Sequence, residues 1–190
     1  MGLGVTRLRL FRKGDGVGVA ERAEHRRFPA YCPERHIVLG SSFCLGLNIR
    51  VIENSQDAGH WWSDLHHFLV LQVIAEQTGR WPVTHALSHG KGAAEDEIAA
   101  RRLAQRLGIQ DIYDRMLEGE ENWLSKRVAA TNDIHEKGMR NLVRLERRRR
   151  SGVESFWRQQ FARGLRCCGT MKACRLRELA DEEAPQAVTA

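Results

Sequence analysis

Apolar positions along the chain fall into stretches of two different periods. Between Trp61 and Gln77, Trp62, Leu65, Leu69 and Val73 recur at spacings of three and four, and Phe68, Leu71 and Ile74 widen the same face. That pattern predicts an amphipathic helix with its back to a core, closed by Gly79 at the position of a C-terminal cap. Ile98, Ala99, Leu103 and Leu107 predict a second helix over about 93–107, ending at Gly108. Its acidic first turn (Glu95, Asp96, Glu97) and basic later turns (Arg101, Arg102, Arg106) suit the helix dipole. A third helix is expected over about 111–117, then an acidic loop at 118–122. A short strand-like run, Lys126 to Thr131, leads into a helix from about Asp133 through Leu145. Ser151-Gly152 should break that helix before Val153, Phe156 and Phe161.

Earlier, Val5 to Phe11 alternates apolar and polar residues, and Gly14-x-Gly-x-Gly18 interrupts it. Residues 1–35 therefore read as an irregular or weakly β N-terminal extension. Residues 36–53 read as one or two strands, with a short helix over 43–53 as the other option. The expected fold is mainly α with a small β component. It has a winged-helix-like core over 36–145, a basic helical arm over 146–180 and a frayed tail over 181–190.

Composition narrows the class. With 190 residues, 42% hydrophobic and 28% charged, the chain suits one ordinary globular domain with extensions. No apolar run reaches the 18 or so residues of a membrane span. The N-terminus lacks the apolar centre of a signal peptide, so the expected location is cytoplasmic and no membrane partner is expected. The five cysteines include the adjacent Cys167 and Cys168, and Cys174 adds no paired spacing. Reduced thiols are expected rather than a disulfide framework or a zinc site.

Charge changes the picture more. The net +6 divides unevenly: +4 over residues 1–31, −4 over 32–139, +10 over 140–177 and −4 thereafter. Arg140, Arg144, Arg147 and Arg148 stand at i, i+4, i+7 and i+8, a stripe of like charge on one helix face. Arginines so grouped, together with Arg149 and Arg150, suit phosphate contact, with Phe156, Trp157 and Phe161 near enough to serve a single strand. A solvated face and an acidic protein partner are the alternatives.

The order of elements from residue 61 to 145 resembles the winged helix of MarR-like regulators. The Gly79-Arg-Trp-Pro-Val-Thr84 turn, the helix ending at Gly108-Ile109, the Lys126–Thr131 segment and the His135-Glu-Lys-Gly138 helix start carry the likeness. The resemblance implies that 93–107 is a recognition helix with Arg101, Arg102 and Arg106 near the groove. It also implies that Lys126 and Arg127 lie on the wing. The acidic start of that helix departs from the family, and residues 84–92 make a poor first helix. The implied function is a non-enzymatic DNA-binding regulator or accessory factor, DNA being favoured over RNA and a homodimer being allowed, with no cofactor and no metal.

Two other readings stay open. His66, His67, His85 and His89 could form a small metal-dependent or catalytic site, His85 and His89 having H-x-x-x-H spacing. The Trp157 region could dock a partner protein. Ser88-His89-Gly90-Lys91-Gly92 lacks the spacing of a phosphate loop.

Overall fold

The computed structural model describes residues 5–46, 51–82, 87–130 and 135–184. The chain divides into two compact units. One comprises residues up to Pro82 together with 165 onward, and the other comprises 83–164. These limits differ from the boundaries expected at 35, 145 and 180. The N-terminal residues are core of the first unit rather than an extension, and the basic arm is shared between the two.

The first unit begins with a β-hairpin. Strand β1 (Leu8–Lys13) pairs antiparallel with β2 (Gly16–Glu21), Lys13 opposite Gly16, so Gly14 and Asp15 form a two-residue turn. Gly14 has φ +58°, the left-handed conformation such a tight turn needs. Gly18 is glycine for a different reason. A Cβ there would sit 2.6 Å from the Phe11 ring, so only glycine lets that ring lie across β2. Strands β3 (Ile37–Val38) and β4 (Ser42–Phe43) complete an antiparallel sheet of order β1-β2-β4-β3. Of the one or two strands expected over 36–53, the first is present as β3; β4 falls between the two expected runs, and residues 47–50 of the second lie outside the described chain.

Helix α1 (Ser55–Thr78) is longer than its apolar stripe because Asn54 caps it, accepting a hydrogen bond from Asp57 N at 2.9 Å. Gly79, at φ +68°, ends it as its position foretold. The face that is buried, Trp61, Leu65, Phe68, Gln72 and Ala75, lies one residue away from the Trp62–Leu69 edge of the expected stripe. Trp61, Leu65 and Phe68 join Val19, Phe28, Ile37 and Phe43 in one cluster. The C-terminal segment returns to this unit: Lys172 N donates to Gly79 O at 2.8 Å, and α6 (Arg175–Glu183) buries Leu176 and Leu179. Residues 181–183, expected to be frayed, belong to α6.

The second unit is helical throughout its described residues. It contains α2 (Lys91–Arg106), α3 (Gln110–Leu117), α4 (Trp123–Ala129) and α5 (Lys137–Ala162). Helices α2 and α5 approach closely at small residues, where a Cβ on Gly152 would come 3.1 Å from Ala93 Cβ. Ser151-Gly152 therefore continues α5 instead of breaking it: glycine is kept for contact, not for a turn. Ala100, Ala104, Tyr113, Met116, Leu124, Val128, Leu142 and Val143 form the core.

The strand expected at Lys126–Thr131 is a helix up to Ala129, and Thr131 lies outside the described residues. Asn122 caps it through Leu124 N and Ser125 N, both at 3.0 Å, while Ser125 Oγ accepts from Asn122 N at 2.9 Å. This reciprocal capping fixes a helix start that outweighs the strand pattern. Among the described residues, no helix is long and apolar enough to cross a membrane.

Candidate functional site

The basic residues on α2, α4 and α5 fall into two groups. Glu146 is fully buried and organises the first. Tyr113 Oη donates to it at 2.9 Å, Arg149 donates from Nε and Nη2 at 2.7 Å each, and Arg150 donates from Nε at 2.8 Å. Arg149 also reaches Ser88 Oγ at 2.7 Å, and that hydroxyl donates to Glu97 Oε2 at the same distance. Glu97 in turn accepts from Arg101, which also pairs with Asp114. One continuous polar network thus runs through the unit.

Burial raises the Glu146 carboxyl, but the hydrogen bonds and charge of Arg149, with Arg150 and Tyr113, more than offset it and hold it below its ordinary value. Burial, followed by the Glu146 charge, pushes the Tyr113 phenol up.

Arg147 also serves the fold. It donates to Val128 O at 2.9 Å and to Ala130 O, closing the C-terminal end of α4. Arg148 pairs with Asp96 at 3.1 Å, and Lys126 with Glu121 at 3.6 Å. Arg140 donates to His135 O at 3.1 Å. So the stripe Arg140, Arg144, Arg147, Arg148 is real as helix geometry, but much of it is spent inside the unit. Trp157 is buried and in T-shaped contact with His89 and Phe156, so its ring is no platform for a base.

The second group is Arg102, Arg106, Arg127 and Arg144. These are exposed and make no ion pair or hydrogen bond to a described residue. Arg102 and Arg106 share a face of α2 by their spacing of four. The acidic start of α2 proves less repulsive than its sequence implied, since Asp96 and Glu97 are buried and paired and only Glu95 is exposed.

His60, His66 and His67 are exposed on α1, His89 stacks on Phe156, and His85 lies outside the described residues. Among the described residues, no group of three or more histidine, cysteine or acidic side chains could hold a metal ion.

Cysteines are the feature that sequence spacing missed. Cys32 Sγ and Cys168 Sγ stand 3.0 Å apart, although 136 residues separate them. Cys174 is buried and hydrogen-bonded to Cys167; burial and that bond push its thiol up to about 12. Cys44, directly after β4, is the exposed one of the five. Its backbone N donates to His36 O at 2.8 Å, and its Sγ lies 3.5 Å from Gly46 O.

Residues 2–83 match a family described as a prokaryotic E2 domain, a match that spans less than half of the chain. No curated protein and no solved structure matches.

Proposed function

We propose that the first unit is a thiol-dependent transfer domain of E2 type, with Cys44 as its nucleophile. The observation that carries this is the exposure of Cys44, alone among the five thiols, within the residues that match the prokaryotic E2 domain. Cys44 follows directly on β4, which is paired with both β2 and β3, and the backbone bond to His36 O fixes its position. A thiolate there can attack an activated acyl carbonyl, forming a thioester as the original leaving group departs, and pass the acyl group to a second nucleophile. Chemistry on a free thiol suits a reducing, cytoplasmic setting.

Incubation of the whole chain with a cysteamine acyl thioester should add one acyl group at Cys44, removable by hydroxylamine. Cys44→Ala should remove the adduct that maps to position 44, as followed by peptide mapping. Equal labelling of the Cys44→Ala chain would overturn the reading.

A second reading, for residues 87–164, is nucleic-acid contact, favoured by the unpartnered and exposed Arg102, Arg106, Arg127 and Arg144. In it the protein is a DNA-binding regulator or accessory factor, with duplex DNA ahead of RNA and a homodimer matching paired half-sites. Helix α2 would act as the recognition element of the MarR-like resemblance, and the helical 123–129 segment would stand in place of the wing.

Binding of labelled duplex DNA, measured by anisotropy across salt, should fall steeply with ionic strength. Changing Arg102, Arg106, Arg127 and Arg144 to alanine together should flatten the slope by up to about 3.6, at about 0.9 per phosphate contact. A slope unaltered by the fourfold change excludes this reading. Arg147, Arg149 and Arg150 are unsuitable for that test, because their loss removes helix-end and Glu146 contacts.

A further inference from the structure

Cys168 lines a cavity of about 440 Å³ together with Arg27, Arg35, Glu76 and Thr170, all in the first unit. Arg35 is the unusual member. It is only 2% exposed, yet no carboxylate lies within ion-pair distance of it among the described residues. Its hydrogen-bond partners are neutral: Nε donates to Gln72 Oε1 at 2.8 Å, Nη2 to Gln72 O at 3.0 Å and Nη1 to Thr170 Oγ1 at 3.4 Å. A buried guanidinium without a direct ion pair is costly. Thr170 links it to sulfur, with its Oγ1 3.1 Å from Cys168 Sγ. Glu76, on the same cavity, acts on Arg35 from beyond ion-pair distance and is itself tied to Arg27 at 2.6 Å, so a thiolate at Cys168 adds a second anion to balance this cation.

The second sulfur is placed to complete a reaction. Cys32 is buried, 3.0 Å from Cys168 on its protein side, whereas Cys168 is half-buried and borders the cavity. One thiol is therefore accessible and the other is reserved behind it. We propose that Cys168 and Cys32 form a peroxide-responsive dithiol site, with Cys168 as the attacking thiolate, Cys32 as the resolving thiol and a hydroperoxide as the oxidant.

The Cys168 thiolate attacks the distal oxygen of the hydroperoxide. An S–O bond forms, the O–O bond breaks, and the departing alkoxide or hydroxide takes a proton from solvent. Cys32 sulfur then attacks the sulfenic sulfur, forming the S–S bond as the S–O bond breaks, and hydroxide leaves with the Cys32 proton as water. Two electrons pass from the two sulfurs to the peroxide, and an external dithiol returns them by exchange.

The electrostatics agree. The hydrogen bond shared with Cys32 holds the Cys168 thiol down at about 5, burial opposing it and Thr170 and Arg35 assisting. The same bond, with burial, pushes Cys32 up. Thiolate character is thus confined to the sulfur that faces the cavity.

The proposal is independent of Cys44 and can be tested on the full chain carrying Cys44→Ser. The reduced protein, treated with one equivalent of hydrogen peroxide, should lose two hydrogens in intact mass and give a Cys32–Cys168 peptide on non-reducing digestion. With Cys32→Ser, the oxidised product should be a Cys168 sulfenic acid trapped by a 1,3-dione. Alkylation of Cys168 by iodoacetamide should reach half its limiting rate near pH 5 in the unmodified chain, which needs no variant to fold. Oxidation that joins Cys167 to Cys174 first, or alkylation of Cys168 that rises only above about pH 8, as for an ordinary thiol, would overturn it.

Discussion

Replacing Glu146 by alanine is expected to lower the stability of the chain by about 3–5 kcal/mol, the loss seen when one partner of a buried ion pair is removed. The reason is what remains. Arg149 would keep its position between Ser88 and the emptied site with its charge uncompensated, and Tyr113 Oη would lose its acceptor inside the core. Tyr113→Phe removes a donor without stranding a charge and should cost only about 1 kcal/mol.

The same carboxylate gives a signed pH dependence. Because folding lowers the Glu146 pKa, its contribution is present in full above the unfolded value of 4.5 and is lost as pH falls through the lower folded value. Urea titrations should therefore show a large gap between the parent and Glu146→Gln at pH 7, narrowing progressively below about pH 4.5. An equal gap at both ends of that range would mean that shape, not charge, is what Glu146 supplies.

In the first unit, Phe68→Ala should cost about 3–5 kcal/mol. The ring is buried at the junction of helix and sheet, 4.8 Å from Phe43 and 5.8 Å from Trp81 between centroids. Neither neighbour can collapse into the space without leaving the other. Ile74→Ala, on an exposed position of the same helix, should change stability by no more than about 0.5 kcal/mol. Denaturant midpoints read by tryptophan emission would separate the two, and equal midpoints would show that the α1 face is wrongly placed.

What the sequence made legible was the local part of this. Helices over 61–77, 93–107 and 111–117 follow from spacing, with Gly79 and Gly108 as their stops. The mainly α fold with its small sheet follows too. Two local signals decide what periodicity leaves open: Asn122 followed by Ser125 is a capping pair, and Gly14-Asp15 is a hairpin turn. A four-residue apolar-polar run at 126–129 cannot be told from one helical turn by period alone.

The rest was beyond reach for a physical reason. An arginine stripe looks the same whether it faces phosphate or a buried carboxylate. Only the approach of Tyr113 to Glu146, 33 residues apart, shows that Arg149 and Arg150 are turned inward. Cys168 and Cys32 likewise carry no spacing signal, and Arg35 reads as one more surface charge until its burial is seen.

The return of the C-terminal segment to the first unit bears on how the chain is made. Arg35 waits for Thr170, Gly79 for Lys172, and Leu176 and Leu179 are among the last residues described. Residues 165–179 must therefore be made before Arg35 and the end of α1 receive their last partners. The intervening residues 83–164, contiguous in sequence, are free of that delay. A released chain ending at residue 164 would hold every contact internal to the second unit while Arg35 lacked its Thr170 partner in an unfinished first.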